Sequence, residues 1–188
     1  MKIQKYHREI TSKFDFLEKD RNFIIQEGLP IYSSTVMDCF IPLSKFKEFH
    51  NEEKKYINFA SASDLFFDRA FFTYEIKTQS IFYFYKDRAD KKIKKEVNSS
   101  FLIFLECMDL YHKFKSDLRE IVRNSIYKKS VIIELLEELI HNMHELDPIY
   151  FSSCYQYWPE ILMEIPMNYS HLFQDIDEVF KYTIDLQE

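Results

Sequence analysis

VNSSFLIFLECMDLY, residues 97–111, passes from a strand-like end through Asn98-Ser99-Ser100 into a run that is apolar on nearly every helical face. Asn98 or Ser99 can supply the side-chain oxygen that satisfies free N–H groups at a helix start. Phe101, Leu102, Leu105, Met108 and Tyr111 make one stripe, and Ile103, Phe104, Cys107, Leu110 and Phe114 widen it almost all round. A helix so apolar has to be covered on more than one side. What precedes and follows it therefore decides the fold.

Upstream the period is two. KYINFA (55–60) and FFTYEIK (71–77) alternate, with Phe72, Tyr74 and Ile76 pointing one way and Thr73, Glu75 and Lys77 the other. SIFYFYK (80–86) is aromatic on both faces, as in a strand covered on both sides. Thr78 and Gln79 turn the chain between these two strands, and Ile93 to Val97 returns as a short strand after the charged connection KDRADKKIKKE (86–96). Nearer the start, Ser12 caps a helix carrying Phe14, Leu17, Ile24 and Ile25, which stops at Gly28 and Pro30.

Downstream the period is helical. Ser130 opens a helix with Ile132, Leu135, Leu136, Leu139, Ile140 and Met143 on one face and Glu134, Glu137, Glu138, His141 and Glu145 on the other. Pro159, after Trp158, suits a first helical turn, and Ser170 caps a last helix with Leu172, Phe173, Ile176, Val179 and Phe180. The reading is α+β: an N-terminal helix, an antiparallel sheet, the apolar helix packed on that sheet, then C-terminal helices.

Composition narrows function. The 188 residues are 46% hydrophobic and 18% aromatic, enough for a sizeable core. A single glycine, Gly28, leaves no material for a dinucleotide fingerprint, a phosphate-binding P-loop or a nucleophile elbow. Cys39, Cys107 and Cys154 fit no metal or redox spacing and read as reduced cytoplasmic thiols. No apolar run reaches the roughly 20 residues that span a bilayer, and MKIQKYHREITSK lacks the apolar segment of a secretory signal.

Charge is uneven. Residues 1–129 hold 24 Lys and Arg against 19 Asp and Glu, whereas residues 130–188 hold one against 12. The acidic segment is either a set of solvated helix faces or a surface that attracts a cationic partner, and it disfavours nucleic acid as a direct ligand. His141 and His144, three apart with Glu138 and Glu145 nearby, could share a metal. They lack the H-E-x-x-H pattern and lie on a polar helix face, so solvation is the better account. The aromatic run 82–85 could stack on bases, with core packing the default, and Cys107 inside an apolar helix is no reactive thiolate. No catalytic residue, cofactor or metal site is expected.

Two segments together resemble the SUKH superfamily of immunity proteins (the Smi/Knr-like fold), specifically its fourth bacterial subgroup. FLEKDRNFIIQEGLPIY (16–32) is similar to the family's N-terminal helix ending in a G-L-P turn, and EVNSSFLIFLECMDLY (96–111) to its last strand, cap and apolar helix. The likeness spans about residues 14–114, a core within one domain over 1–188 whose remainder from about 115 is a helical extension. It transfers no catalytic site. It implies an immunity protein that binds and neutralises a cognate polymorphic or contact-dependent toxin, commonly a nuclease, in the cytoplasm of the producing cell. The acidic residues Glu134, Glu137, Glu138 and Glu145 are the candidate partner-binding set, with no membrane or nucleic-acid partner. The alternatives are a same-fold regulatory or scaffold module without a toxin, and a metal-dependent hydrolase using His141 and His144.

Overall fold

Five strands, each hydrogen-bonded to its predecessor in the chain, take up the aromatic middle of the sequence. The computed structural model describes residues 2–32, 39–64, 67–86, 89–123, 129–151 and 157–168. Two units cluster separately, Met1–Leu102 and Ile103–Glu188.

The first unit opens with strand β1 (Lys2–Gln4), a short helix α1 (Arg8–Thr11), helix α2 (Glu18–Gln26) and strand β2 (Leu29–Ile31), which pairs antiparallel with β1. The sheet follows: β3 (Cys39–Asn51), β4 (Lys54–Asp64), β5 (Phe67–Glu75), β6 (Ile81–Lys86) and β7 (Lys92–Asn98), antiparallel in the order β3-β4-β5-β6-β7. The α+β class with an antiparallel sheet is thus observed. The strands read at 55–60, 71–77, 80–86 and 93–97 are all present, while β3 is an addition.

The N-terminal helix differs from expectation. Ser12 follows α1 rather than opening a long helix, and residues 12–17 are not helical. Phe14 and Phe16 leave the helical path because their rings pack with Phe46 of β3, at centroid distances of 5.7 and 5.3 Å. Arg21 holds the break, its Nη2 donating to the carbonyls of Phe14 at 2.9 Å and Phe16 at 3.3 Å.

The stop at Gly28 is as read. Its φ is +83°, and a Cβ there would meet the Gln4 carbonyl oxygen at 2.6 Å and Ile3 Cγ2 at 2.7 Å. Backbone conformation and the close passage of β1 both demand glycine. Lys5 Nζ donates to the Gln26 and Glu27 carbonyls at 2.6 and 2.7 Å, placing a cation at the negative end of α2.

Register sorts the sheet into two faces. Tyr74 lies opposite Ile57 and Ile81, and Phe72 opposite Tyr83. On this face Phe40, Phe59, Phe72 and Tyr74 are buried. Phe101, the first residue of helix α3 (Phe101–Arg123), sits 5.3 Å from Phe59, 6.4 Å from Tyr74 and 6.5 Å from Phe23 of α2. The helix expected from a cap at Asn98 or Ser99 begins at Phe101, because Asn98 still pairs with Ile81 as the last residue of β7.

Tyr74 also anchors α2. The Leu17 N–H donates to the Tyr74 hydroxyl at 3.2 Å, and that hydroxyl donates to Asp20 Oδ2 at 3.2 Å. Leu17 is the N-cap residue and Asp20 stands three positions on, where a capping box places its acid. Here a tyrosine from the sheet is inserted between the two halves of that box. Burial pushes the Asp20 carboxyl above its ordinary range, which the bond from Tyr74 partly offsets. Tyr74→Phe strands a backbone donor and a buried carboxylate together. It should cost about 1–3 kcal/mol of unfolding free energy in a denaturant titration, and a loss below about 0.5 kcal/mol would show that the relay does not hold the helix.

The turns manage without glycine. Glu52 and Glu53, between β3 and β4, both have positive φ (50° and 65°), as does Gln79 (63°), where a tight hairpin ordinarily uses Asn or Gly.

The second unit holds the rest of α3, helix α4 (Lys129–Leu146), a 3₁₀ turn (Pro148–Phe151) and helix α5 (Tyr157–Asn168). Phe104, Leu105, Cys107, Met108, Tyr111, Phe114 and Leu118 of α3 are buried. Leu102, Ile103 and Leu110 are only half-buried, and Glu106, Asp109 and Lys113 face outward. The apolar surface of α3 is therefore narrower than its composition suggests. Trp158 is fully buried, 5.9 Å from Tyr111, and Pro159 lies in the first turn of α5 as read. The helix expected from Ser170 lies outside the described residues, as does Cys154.

Candidate functional site

Helix α4 separates its residues as the periodicity requires. Ile132, Leu136, Leu139, Ile140 and Met143 are buried, and Glu134, Glu137, Glu138, His141 and Glu145 are exposed. Offsets of three, four, seven and eleven from Glu134 put Glu137, Glu138, His141 and Glu145 along one strip with it. His141 Nε2 lies 3.3 Å from Glu145 Oε1, so the end of the strip is partly countered whenever His141 is protonated. Glu134, Glu137 and Glu138 form no ion pair among the described residues.

A groove of about 50 Å³ runs beside the strip between α3 and α4, with Leu110, Phe114, Leu135 and Leu139 at its base and Lys113, Asp117, Glu138 and Asn142 at its edges. Glu138 thus belongs to both the acidic strip and the groove. An apolar floor with a polar rim of two acids, one lysine and one amide can take an apolar anchor flanked by polar groups.

His144 departs from the solvated face assigned to it. It is half-buried, with its ring 6.4 Å from that of Phe151 and steeply tilted. The 3₁₀ turn folds Phe151 back onto the last turn of α4, which periodicity alone does not reveal. Among the described residues no three His, Cys, Asp or Glu side chains are grouped to hold a metal ion.

The other face of the sheet carries polar groups that the sequence reading did not single out. Glu75 is fully buried, paired with Lys54 Nζ at 3.2 Å through Oε2, and its Oε1 has no hydrogen-bond partner. Its cross-strand neighbour Tyr56 is likewise buried with an unpartnered hydroxyl, which burial and then the Glu75 charge push up to about 12. Alternation in FFTYEIK places Glu75 on the face opposite Tyr74, but nothing local says that this face is also closed.

The aromatic run 82–85 divides. Phe82 and Tyr83 are buried, as the core reading expects, while Phe84 and Tyr85 are half-buried and border an open cleft. In the charged connection Lys86 is ion-paired with Asp90, Lys94 lies over the Phe82 ring at 5.2 Å, and Lys95 lies over Tyr85 at 5.7 Å. Lys86, Lys94 and Lys95 are thus occupied within the sheet. No helix is long and apolar enough to cross a membrane among the described residues.

Compared with protein-family models, with curated proteins and with solved structures, the chain matches none.

Proposed function

We propose that the chain is an immunity protein, a stoichiometric inhibitor that binds and neutralises a cationic toxin domain in the cytoplasm and catalyses nothing itself. The observation that carries this reading is the strip Glu134, Glu137 and Glu138, exposed and without internal counter-charges on a helix whose other face is buried. Ordinary solvated helices often answer their acids with lysines four residues on. Residues 130–188 hold one basic residue in all, Lys181. A nuclease groove built to hold phosphates offers the complementary cations, and the resemblance to the SUKH superfamily names that class of partner.

Rim charges act mainly on encounter. Glu137→Lys with Glu138→Lys should therefore slow association with the toxin domain encoded beside this chain by about tenfold at low ionic strength. The slope of rate against salt should flatten, with thermal stability unchanged. The decisive measurement is stopped-flow association across a salt series. Equal rates for wild type and variant at every ionic strength overturn the role of this face. Survival of cells co-expressing the neighbouring toxin tests the inhibitor function separately, and death despite expression overturns it.

A further inference from the structure

The sheet face opposite Phe101 carries a cleft of about 200 Å³ lined by Phe49, Phe71, Phe84 and Asn58, with Lys86 and Lys92 at its mouth. Its volume exceeds the roughly 150 Å³ void that takes up benzene, so a flat ring system fits. Phe49, Phe71 and Phe84 are each only half-buried, leaving apolar ring surface that a bound ring would remove from water. Phe84 stands nearly perpendicular to Phe49 at 5.4 Å, a pair that offers one ring face and one ring edge.

Two polar features give the cleft a chemistry. Asn58 Oδ1 is buried with no donor. An unmet amide acceptor ordinarily costs about 1–3 kcal/mol, and rotation about its soft terminal torsion can turn it toward a ligand. At the mouth, Lys86 is already paired with Asp90, whereas Lys92 is exposed and forms no ion pair among the described residues. An aromatic wall, an amide able to meet a ring's hydrogen-bonding edge and a spare ammonium at the rim fit one combination. It is a nitrogen heterocycle carrying an anionic group.

We propose that this cleft binds a nucleoside monophosphate, the base stacked among Phe49, Phe71 and Phe84 with its edge on Asn58 and the phosphate on Lys92. Stacking on aromatic side chains holds bases of any sequence, and an asparagine amide pairs two-fold with the N6 and N7 edge of adenine. The inference does not rest on the inhibitor reading.

The probe is AMP, titrated calorimetrically against the intact protein, with adenosine and ribose 5-phosphate as partial ligands. AMP should bind saturably, at least about tenfold tighter than either part, as expected when base stacking and phosphate pairing both contribute. Lys92→Met removes only an exposed charge and should bring AMP down to the level of adenosine while leaving adenosine binding unchanged. Asn58→Leu should weaken AMP and adenosine alike, and its melting curve tells a folded variant from an unfolded one. A short oligoadenylate separates two sources of the same chemistry, since tighter binding than AMP assigns the site to a strand end and equal or weaker binding to a free nucleotide. The proposal is overturned if AMP shows no saturable binding at millimolar concentration, if ribose 5-phosphate binds as well as AMP, or if Lys92→Met binds AMP like wild type.

Discussion

Phe101→Ala should destabilise the protein by about 3–5 kcal/mol, the cost of removing a phenyl ring from a closed core. The ring is fully buried and meets Phe23 of α2, Phe59 of β4 and Tyr74 of β5. It touches both the sheet and the helix that covers it, so no single neighbour can move in to fill the space. Domains are commonly stable by only 5–15 kcal/mol, and the variant should therefore unfold at markedly lower denaturant. Ile149, 70% exposed in the 3₁₀ turn, is the matching control, and its replacement by alanine should change little. Should Phe101→Ala lose less than about 1 kcal/mol, the aromatic junction is not where the stability of the first unit resides.

Lys54→Met should cost about 2–3 kcal/mol. Removing one partner of a buried pair leaves the other charge uncompensated, a change usually worth 3–5 kcal/mol. The lower figure applies because the Lys54 side chain is 45% exposed, so water already screens part of its charge, although Glu75 is wholly enclosed. Adding Glu75→Gln removes the stranded charge, and the double variant should recover most of the loss. Denaturant titrations of the two single variants and the double variant close this cycle. A Lys54→Met protein as stable as wild type, or a double variant no better than the single one, would mean that Glu75 does not depend on Lys54.

What the sequence made legible follows the range of the forces involved. β4, β5, α3 and α4 show in local periodicity, and the acidic strip of α4 with them, because the spacing of side chains is set within one element. β3 did not. Its pairing with β4 slips between Pro42 and Lys47, so the alternation of FIPLSKFKEF breaks in the middle and no period shows. The break at residues 12–17 was hidden for a related reason: Phe14 and Phe16 are placed by Phe46, some thirty positions along the chain. The cleft draws its walls from β3, β4, β5, β6 and β7, and no window of sequence contains it. Glu75 looked like a strand's outer face because alternation tells which side a residue takes and not whether that side is open.

The strand order β3-β4-β5-β6-β7 is also an order in time. Each strand closes only a short loop onto the one made just before it, and short closures lose little chain entropy. The sheet can therefore assemble hairpin by hairpin as the chain leaves the ribosome, at roughly 5–20 residues per second. Phe101 emerges directly after β7, and until it does Phe59 and Tyr74 lack the ring that closes over them. The nascent chain thus carries a sticky aromatic face from the completion of β5 until this residue arrives, an interval of about 25 residues from Glu75 to Phe101 that amounts to a few seconds of synthesis. Stalling within that window exposes the surface most prone to aggregation, and translation a few codons further ends the hazard.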